Sequence, residues 1–517
     1  MNVPSRKHTN FRDPIHGLIK VYPWEKKLID SSEFQRLKRI HQLSMTYLVY
    51  HGAEHTRFGH SIGVMHIAGR IMDHLRHYEP LCTLSEDEFF QKKALVRMAG
   101  LLHDLGHGCF SHIGEGDNIY PDLTDPLNNE YSSGHEAYTR CIIKERLADT
   151  INQYWADEEC QMIPNLLMIL NQSSDDPKYR FFDDIISGQL DCDKMDYLLR
   201  DSHYCGVEYG TYDLDKLIES LQVVSIQGNN VLAIRQNGIQ AVEAFILARY
   251  WMFIQVYFHK HRRLFDYYLS SFIKEFLTLE CEKNGQYPKS LDEYLKMDDF
   301  YLYEKIKYYA CMKHPAPNKQ TIHNFAKRLF TRSHHKIAFD PPYVHYDNRN
   351  RNDEGNEDYK RLNYVKRQLD HYLKTIADSE SSKIYTDLAT ASSTKHFFDI
   401  KVYNEEHDPD FSSVIKEMQI PAIPVLPKHN GKPEAIQKYS FALRSISDKK
   451  ISILRIYAEE DMIDIIREKC TNWFTVEYDA QKEELEKITS QIEQKTRELE
   501  ESQKRLSELK ETLEPET

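Results

Sequence analysis

His103-Asp104-Leu105-Gly106-His107-Gly108-Cys109-Phe110-Ser111-His112 decides how this chain is read. The run packs three imidazoles and a carboxylate into ten residues, directly after the apolar segment Ala94 to Leu102. That mixture of nitrogen and oxygen donors suits a hard-to-borderline divalent metal. Two further segments complement it: Arg57-Phe58-Gly59-His60 upstream, and Asp191-Cys192-Asp193-Lys194-Met195-Asp196-Tyr197 downstream. Together they predict a four-ligand set of His60, His103, Asp104 and Asp193. An ion held that way, with positions left open for water, makes a hydrolytic centre.

Any one histidine of the 25 is more often structural or exposed than a ligand. An HD dipeptide is also weak by itself, because adjacent helix residues diverge. Joint occurrence carries the reading. His60 precedes a predicted helix, His103-Asp104 ends one at a glycine-containing turn, and Asp193 opens another. Salt bridging is the plain alternative for Arg57 and Arg249, and core packing for Tyr197 and Tyr257.

Size and composition fit this picture. A chain of 517 residues forms a large core and several folding units. Hydrophobic content of 41% and charged content of 28% are those of a soluble globular protein. Met1 to Asn10 is polar, so no signal peptide is expected. The most apolar stretch, Ala241 to Phe258, carries Glu243 and Arg249, which predicts a buried helix and no membrane association. Nine cysteines without a CxxC pair favour a reducing compartment. The expected location is cytoplasmic, with the nucleus left open. A formal net charge of −13 disfavours non-specific nucleic-acid binding, although local basic pockets can hold phosphates.

Apolar spacing predicts helices over Glu33–Gln42, Ser61–Leu75, Lys92–His103, Glu136–Leu147 and Gln189–Arg200. Further helices follow at Asp215–Gln222, Gln240–Leu279 (one or two), Leu291–Met297, Tyr301–Cys311 and Asn324–Phe330. Strands are expected at Leu18–Val21, Val223–Ile226, Val231–Ile234 and His396–Val402, with Asn229-Asn230 turning a hairpin. Residues 347–357 read as a flexible surface loop, and the proline-rich Ile420–Glu434 as extended chain. Ser440–Ile456 and Glu459–Val476 predict a strand pair followed by a helix. In the tail, Leu485, Ile492, Leu499, Leu506 and Leu513 recur every seven positions. Ile488 and Leu509 mark a second seam that Lys495 and Ser502 interrupt. This heptad pattern predicts a coiled-coil helix with a partner.

In these segments the chain resembles the HD-domain superfamily of metal-dependent phosphohydrolases. Within it, the resemblance is to dNTP triphosphohydrolases of the sterile-alpha-motif-and-HD-domain type. The matching text is Phe11-Arg12-Asp13-Pro14-Ile15-His16-Gly17, Phe34-Gln35-Arg36-Leu37, Arg57 to Val64, the His103 to His112 run, and Asp193-Lys194-Met195-Asp196-Tyr197 with Arg200-Asp201. It continues from Arg249 to Tyr257-Phe258-His259 and thins after Leu279; no sterile-alpha-motif domain is expected ahead of it. The implied fold is mainly α. It has an HD-domain helical core with small β elements (residues 1–285), a mixed α/β C-terminal lobe (286–476) and a coiled-coil tail (477–517).

The resemblance also implies roles. A divalent metal (Mg, Mn, Fe, Zn or Ni) would sit on His60, His103, Asp104 and Asp193. His107, His112 and His135 would line the α-phosphate as acid, base and orienting groups. Arg57, Lys194 and Arg249 would contact the triphosphate, an anion that needs converging cations. Tyr197, Asp201 and Gln42 would bind the deoxyribose 3′-hydroxyl, while Leu43 and Tyr257 would crowd the 2′ position and exclude ribose; His259 joins the substrate-binding set. Glu115 stands where the family's catalytic pocket has Asp, and Gly59 replaces an acidic residue. Asp30, Gln35, Lys38 and Arg235 match contacts of an activating nucleotide, and Arg332 and Lys336 match a basic pair for effector phosphates. Asn237 and Ser220 depart from that pattern. The implied activity converts a dNTP and water to deoxynucleoside and triphosphate, in a homo-oligomer (dimer or tetramer). A phosphodiesterase or nuclease acting on cyclic nucleotides or nucleic-acid ends, and a nucleotide-sensing assembly protein, stay open as alternatives.

Overall fold

The computed structural model describes residues 4–115, 119–155, 161–281, 285–347, 357–390, 423–427, 432–446 and 449–513. The chain divides into two compact units, residues 1–333 with 398–448, and residues 334–397 with 449–517. The first is a helical core with small sheets, as expected.

Three helices of the first unit matter most. Arg57–Leu75 buries thirteen of its side chains or glycines, and packs on both Glu86–Leu102 and Cys192–Cys205. Glu86–Leu102 starts from a capping box: Ser85 Oγ accepts the Glu88 N–H at 3.3 Å, and Glu88 accepts the Ser85 N–H at 2.8 Å. Cys192–Cys205 is capped by Asp191, which accepts the Lys194 N–H at 2.7 Å, and stops at Gly206, whose φ of 68° only glycine adopts freely. His60 lies in the first turn of one helix, His103 just past the end of the second, and Asp193 in the first turn of the third. Of these three ends, the one that carries Asp193 is held by a side-chain cap, that of Asp191.

Smaller elements close around this core. Thr9–Asp13 pairs with Gly17–Val21, and their turn carries His16. A four-stranded sheet runs Glu434–Ala435, Pro424–Leu426, Asn229–Arg235, Leu221–Ile226, with Pro424–Leu426 parallel to Asn229–Arg235. In the second unit, the strand Lys449–Ala458 pairs antiparallel with Lys336–Phe339, Val344–Asp347 and Ile384–Thr390. Helices Glu357–Leu373 and Ile463–Asn472 cover it through Leu362, Val365, Leu369, Leu454, Ile456 and Ile466. Helix Tyr478–Leu513 carries the heptad tail, with Leu485, Ile488, Ile492, Leu499 and Leu506 exposed.

Several expectations need correction. The first unit runs past 285 to 333, because helices Lys260–Glu280, Asp299–Ala310 and Gln320–Thr331 pack on one another. The hairpin turns at Gln227-Gly228, with φ of 52° and 83°, and Asn229-Asn230 belong to the strand. A two-residue turn of this hand needs positive φ at both central positions, which Gly228 supplies cheaply. Glu33–Gln42 is a short helix, Ser32–Gln35, followed by a 3₁₀ turn at Arg36–Arg39. The strand pair expected after Ser440 is instead a helix, Phe441–Ile446, and one strand whose partners lie elsewhere in the chain. The strand at His396–Val402 and all but the end residues of the 347–357 loop lie outside the described residues. No single helix among the described residues is long and apolar enough to cross a membrane; Gln236–Tyr257 and Lys260–Glu280 pass only as a pair bent by 68°.

Candidate active site

The four predicted donors meet. His60 Nε2 lies 3.0 Å from Asp193 Oδ1 and 3.4 Å from Asp104 Oδ2. His103 Nε2 lies 3.2 Å from Asp104 Oδ1 and 3.7 Å from Asp193 Oδ1. His60, His103 and Asp104 offer ligand atoms that all fall within 4.8 Å of one another. The side chain of Asp193 is 34% exposed while those of His60 and Asp104 are buried, so the cluster opens on the Asp193 side.

The ring tautomers fit a divalent ion. His103 Nδ1 bonds the Gly100 carbonyl at 2.9 Å, which makes Nδ1 the protonated nitrogen. Its Nε2 is buried with no hydrogen-bond partner among the described residues. His60 Nδ1 bonds Asp196 Oδ2 at 2.8 Å, again leaving Nε2 for the cluster. Imidazoles oriented by a carbonyl or carboxylate through the far nitrogen are the usual support of a metal site. Burial lowers His60, but hydrogen bonds to Asp193 and Asp196 outweigh it and raise its pKa to about 10. Burial would raise Asp104, yet Arg57, then His103 and His107, hold its carboxyl well below the usual range.

A second cluster adjoins the first through Asp104, whose Oδ1 lies 3.2 Å from His107 Nε2. The His107 and His135 rings stack with centroids 3.8 Å apart. Glu115 receives His107 Nδ1 in a short contact, His135 Nδ1 at 3.1 Å and His112 Nδ1 at 3.0 Å. Burial, Arg57 and His135 push His107 down to about 4. Burial also opposes charge on His135, but Glu115 overrides it and lifts the ring to about 9. At neutral pH the stack therefore pairs a neutral imidazole with a charged one. The extra methylene of Glu115 reaches all three rings.

The remaining predicted contacts divide. Arg57 donates to Ser111 Oγ at 2.7 Å and pairs closely with Asp104, and its buried Nη2 has no partner among the described residues. Gln42 is buried with its Oε1 similarly unpartnered. Tyr197 and Tyr257 meet edge to face at 6.4 Å; Arg249 opposes the burial-driven rise of the Tyr197 pKa, which places it beside that phenol. Leu43 is buried, and His259 packs on Tyr50 at 5.6 Å. Lys194 is turned back: its ammonium bonds the Gly188 carbonyl at 3.0 Å and pairs closely with Asp191. Asp201 spends one oxygen on His55 at 2.8 Å and the other on Tyr257 at 2.6 Å, so it orients that phenol.

Of the expected effector contacts, Asp30 pairs closely with Lys26, Gln35 bonds the Ile29 carbonyl at 2.7 Å, and Lys38 covers the Phe58 ring at 4.5 Å. Arg235 bonds the Glu219 carbonyl closely. Arg332 ends its helix at φ 54°, and Lys336 is exposed on its strand in the second unit.

Sequence reasoning gave no role to the support beneath His60. Asp196 is fully buried and bonds His60, His16 Nε2 at 2.7 Å, and Arg200 twice, at 2.8 and 2.9 Å. Arg200 also reaches Asp13 at 3.1 Å. The i,i+4 spacing of Asp196 and Arg200 in an otherwise buried helix face was the available signal.

The HD domain family matches residues 57–198, which span His60, His103, Asp104 and Asp193, and the HD-associated region matches residues 212–405. This is an HD-domain protein. It is similar to an uncharacterized protein of Bacillus subtilis, YwfO, at 36% identity over 276 residues, covering 53% of this chain and 57% of that protein. The deoxynucleoside triphosphate triphosphohydrolase SAMHD1 of Gallus gallus is 28% identical over 315 residues, 57% of this chain and 50% of that protein. The HD-domain chain spans about half the length of these curated relatives. A solved hypothetical protein from Aquifex aeolicus shares its fold, with a TM-score of 0.64 at 28% identity over 90% of this chain and 100% of that one. Within the matched HD domain, His60, His103 and Asp104 form a cluster that could hold a divalent metal ion.

Proposed function

We propose that the chain hydrolyses deoxynucleoside triphosphates to deoxynucleoside and inorganic triphosphate. One observation carries the reading: Asp104 belongs at once to the His60, His103 and Asp193 cluster and to the His107, Glu115 and His135 trio. A phosphoryl group seated on the first cluster therefore lies beside groups that move protons. The similarity to triphosphohydrolases supports the dNTP substrate.

His60, His103, Asp104 and Asp193 would hold the ion. A divalent ion there supplies a Lewis acid and an activated water. The chain's own residues do the rest. Water attacks the α-phosphorus, the bond to the 5′ oxygen breaks, and that oxygen takes up a proton. His112, exposed at the loop rim and tied to Glu115, delivers it, and Glu115 keeps the ring oriented. Arg57, through its unpartnered Nη2, and Arg249 neutralise the leaving triphosphate. Gln42 and Tyr197 take the 3′-hydroxyl, and Tyr257, fixed by Asp201, closes the 2′ side. Lys194 joins the phosphates only by leaving Asp191. Activation by a nucleotide at Asp30, Gln35, Lys38 and Arg235, with Arg332 and Lys336 on effector phosphates, belongs to the same proposal. So does a homo-oligomer with a coiled-coil partner for the tail.

The test is product analysis. Purified protein is incubated with each dNTP, Mg²⁺ or Mn²⁺ and candidate activators, and products are separated by ion-exchange chromatography. Deoxynucleoside plus triphosphate is the expected pair. Monophosphate plus pyrophosphate, or cleavage of cyclic dinucleotides alone, would overturn the proposal.

A further inference from the structure

The loop Gly106–Ser111 has an unusual backbone. Phe110 and Ser111 are consecutive non-glycine residues in the left-handed region, each at φ 56°. Such residues persist only where their surroundings over-determine them. This loop carries His107 and leads to His112, so its conformation sets where the trio stands.

Two of the loop's backbone groups are held directly from one remote segment, residues 294–299, and a third through Arg36, which bonds that segment. The Tyr294 hydroxyl donates to the Gly106 carbonyl at 2.6 Å. Arg36 donates to the His107 carbonyl at 2.8 Å while its other nitrogens grip the Met297 carbonyl at 2.8 and 3.2 Å. Asp299 Oδ1 accepts the Phe110 N–H at 2.6 Å. The other oxygen of Asp299 accepts the His41 backbone N–H at 2.8 Å and bonds His41 Nδ1 at 2.7 Å. The His41 carbonyl in turn accepts the Ser111 hydroxyl at 2.6 Å, and Ser111 receives Arg57, which pairs with Asp104. A continuous chain of bonds thus runs from Asp299 through His41, Ser111 and Arg57 to the first cluster. Asp299 is buried, lies in the HD-associated region and is outside the HD domain match.

We propose that Asp299 is a positioning residue for the reaction: the HD-associated region locks the strained His107 loop of the HD domain through this carboxylate. The turnover arm of its test rests on the dNTP reading above; the hydrogen-exchange arm does not.

Asp299→Asn keeps the volume and one acceptor but turns an N–H donor toward His41 or Phe110. Asp299→Ala removes both acceptors. Tyr294→Phe deletes only the hydroxyl on Gly106 and serves if the Asp299 variants do not fold. Glu304→Gln, exposed on the same helix, is the control. Each variant is compared with the wild-type full chain by peptide-resolved hydrogen exchange, by metal content, and by kcat and KM for dNTP. The expected result is faster exchange confined to residues 105–112, graded Ala over Asn over Phe, with metal content retained. Turnover should fall about 10- to 100-fold for Asp299→Ala, as for a catalytic group displaced by roughly 1 Å, while KM moves little. Wild-type exchange in the loop of the variants overturns the proposal, as does a loosened loop with unchanged turnover. If the wild-type chain cleaves no dNTP, the functional reading fails, and loop exchange still decides the role of Asp299.

Discussion

Replacing Gly63 by alanine tests the support beneath His60. Gly63 faces the buried Asp196–Arg200 pair from one turn along the His60 helix. A Cβ there would collide with Asp196 Oδ1 and stand 2.7 Å from Asp196 Cγ and 2.5 Å from Arg200 Nη2. Ordinary carbon contacts begin at about 3.5 Å, so the carboxylate must retreat by roughly 1 Å. Asp196 has nowhere cheap to go. Its oxygens are shared among His60, His16 and Arg200, and it is fully buried.

Two magnitudes follow. Overpacking alone costs about 1–3 kcal/mol, and severing the buried Asp196–Arg200 pair raises that to about 3–5 kcal/mol. Loss of the Asp196 bond to His60 Nδ1 frees the ring, which for such supporting carboxylates lowers metal affinity about 10- to 100-fold. Competition with a chelator measures the affinity, and thermal unfolding of the metal-free chain measures the stability. Asp196→Asn is the companion variant: it keeps the volume, so it should reproduce much of the affinity loss without the steric term. Gly63→Ala protein with wild-type metal affinity and melting temperature would refute the claim that Asp196 fixes His60.

Other outcomes are expected from the same geometry. His103→Ala should abolish turnover with a smaller change in melting temperature than Asp104→Ala, since its ring bonds the Gly100 carbonyl and otherwise faces His60 and the carboxylates of the cluster. Asp104→Ala should abolish turnover and also cost about 3–5 kcal/mol, because it strands the buried Arg57 guanidinium. His135 has its folded pKa raised to about 9 from an ordinary 6.5. Its contribution to stability is therefore complete below about 6.5 and lost as pH rises through about 9, and a pH series of unfolding midpoints should show that alkaline limb, absent in His135→Gln. Truncation before Leu485 removes an exposed apolar stripe; light scattering should show a smaller assembly while turnover persists, and an unchanged mass would reject the partner-helix reading.

What could be read from sequence and what could not differ in range. His60, His103, Asp104 and Asp193 each sit at a helix end in a short run of chemically costly residues, so local text named all four. The roles of Tyr197, Arg249 and Tyr257 came from the family resemblance and belong to the proposed function. The Asn229-Asn230 turn failed because asparagine is a common turn residue, whereas two consecutive positive φ angles favour the glycine one step earlier. Lys194 was assigned by the family resemblance; its own helix cap, Asp191, is three residues away and takes the ammonium first. Arg36, His41 and Asp299 were invisible in a different way. The bonds that tie them to the His107 loop and to one another span 70 to 261 residues, and no periodicity links such positions. Their burial is the deciding fact. A carboxylate or guanidinium carried into the core is costly unless every polar atom finds a partner, so its position is set by the groups it holds. The donors in this site announce themselves by composition, while the residues that aim them are found only by following their hydrogen bonds.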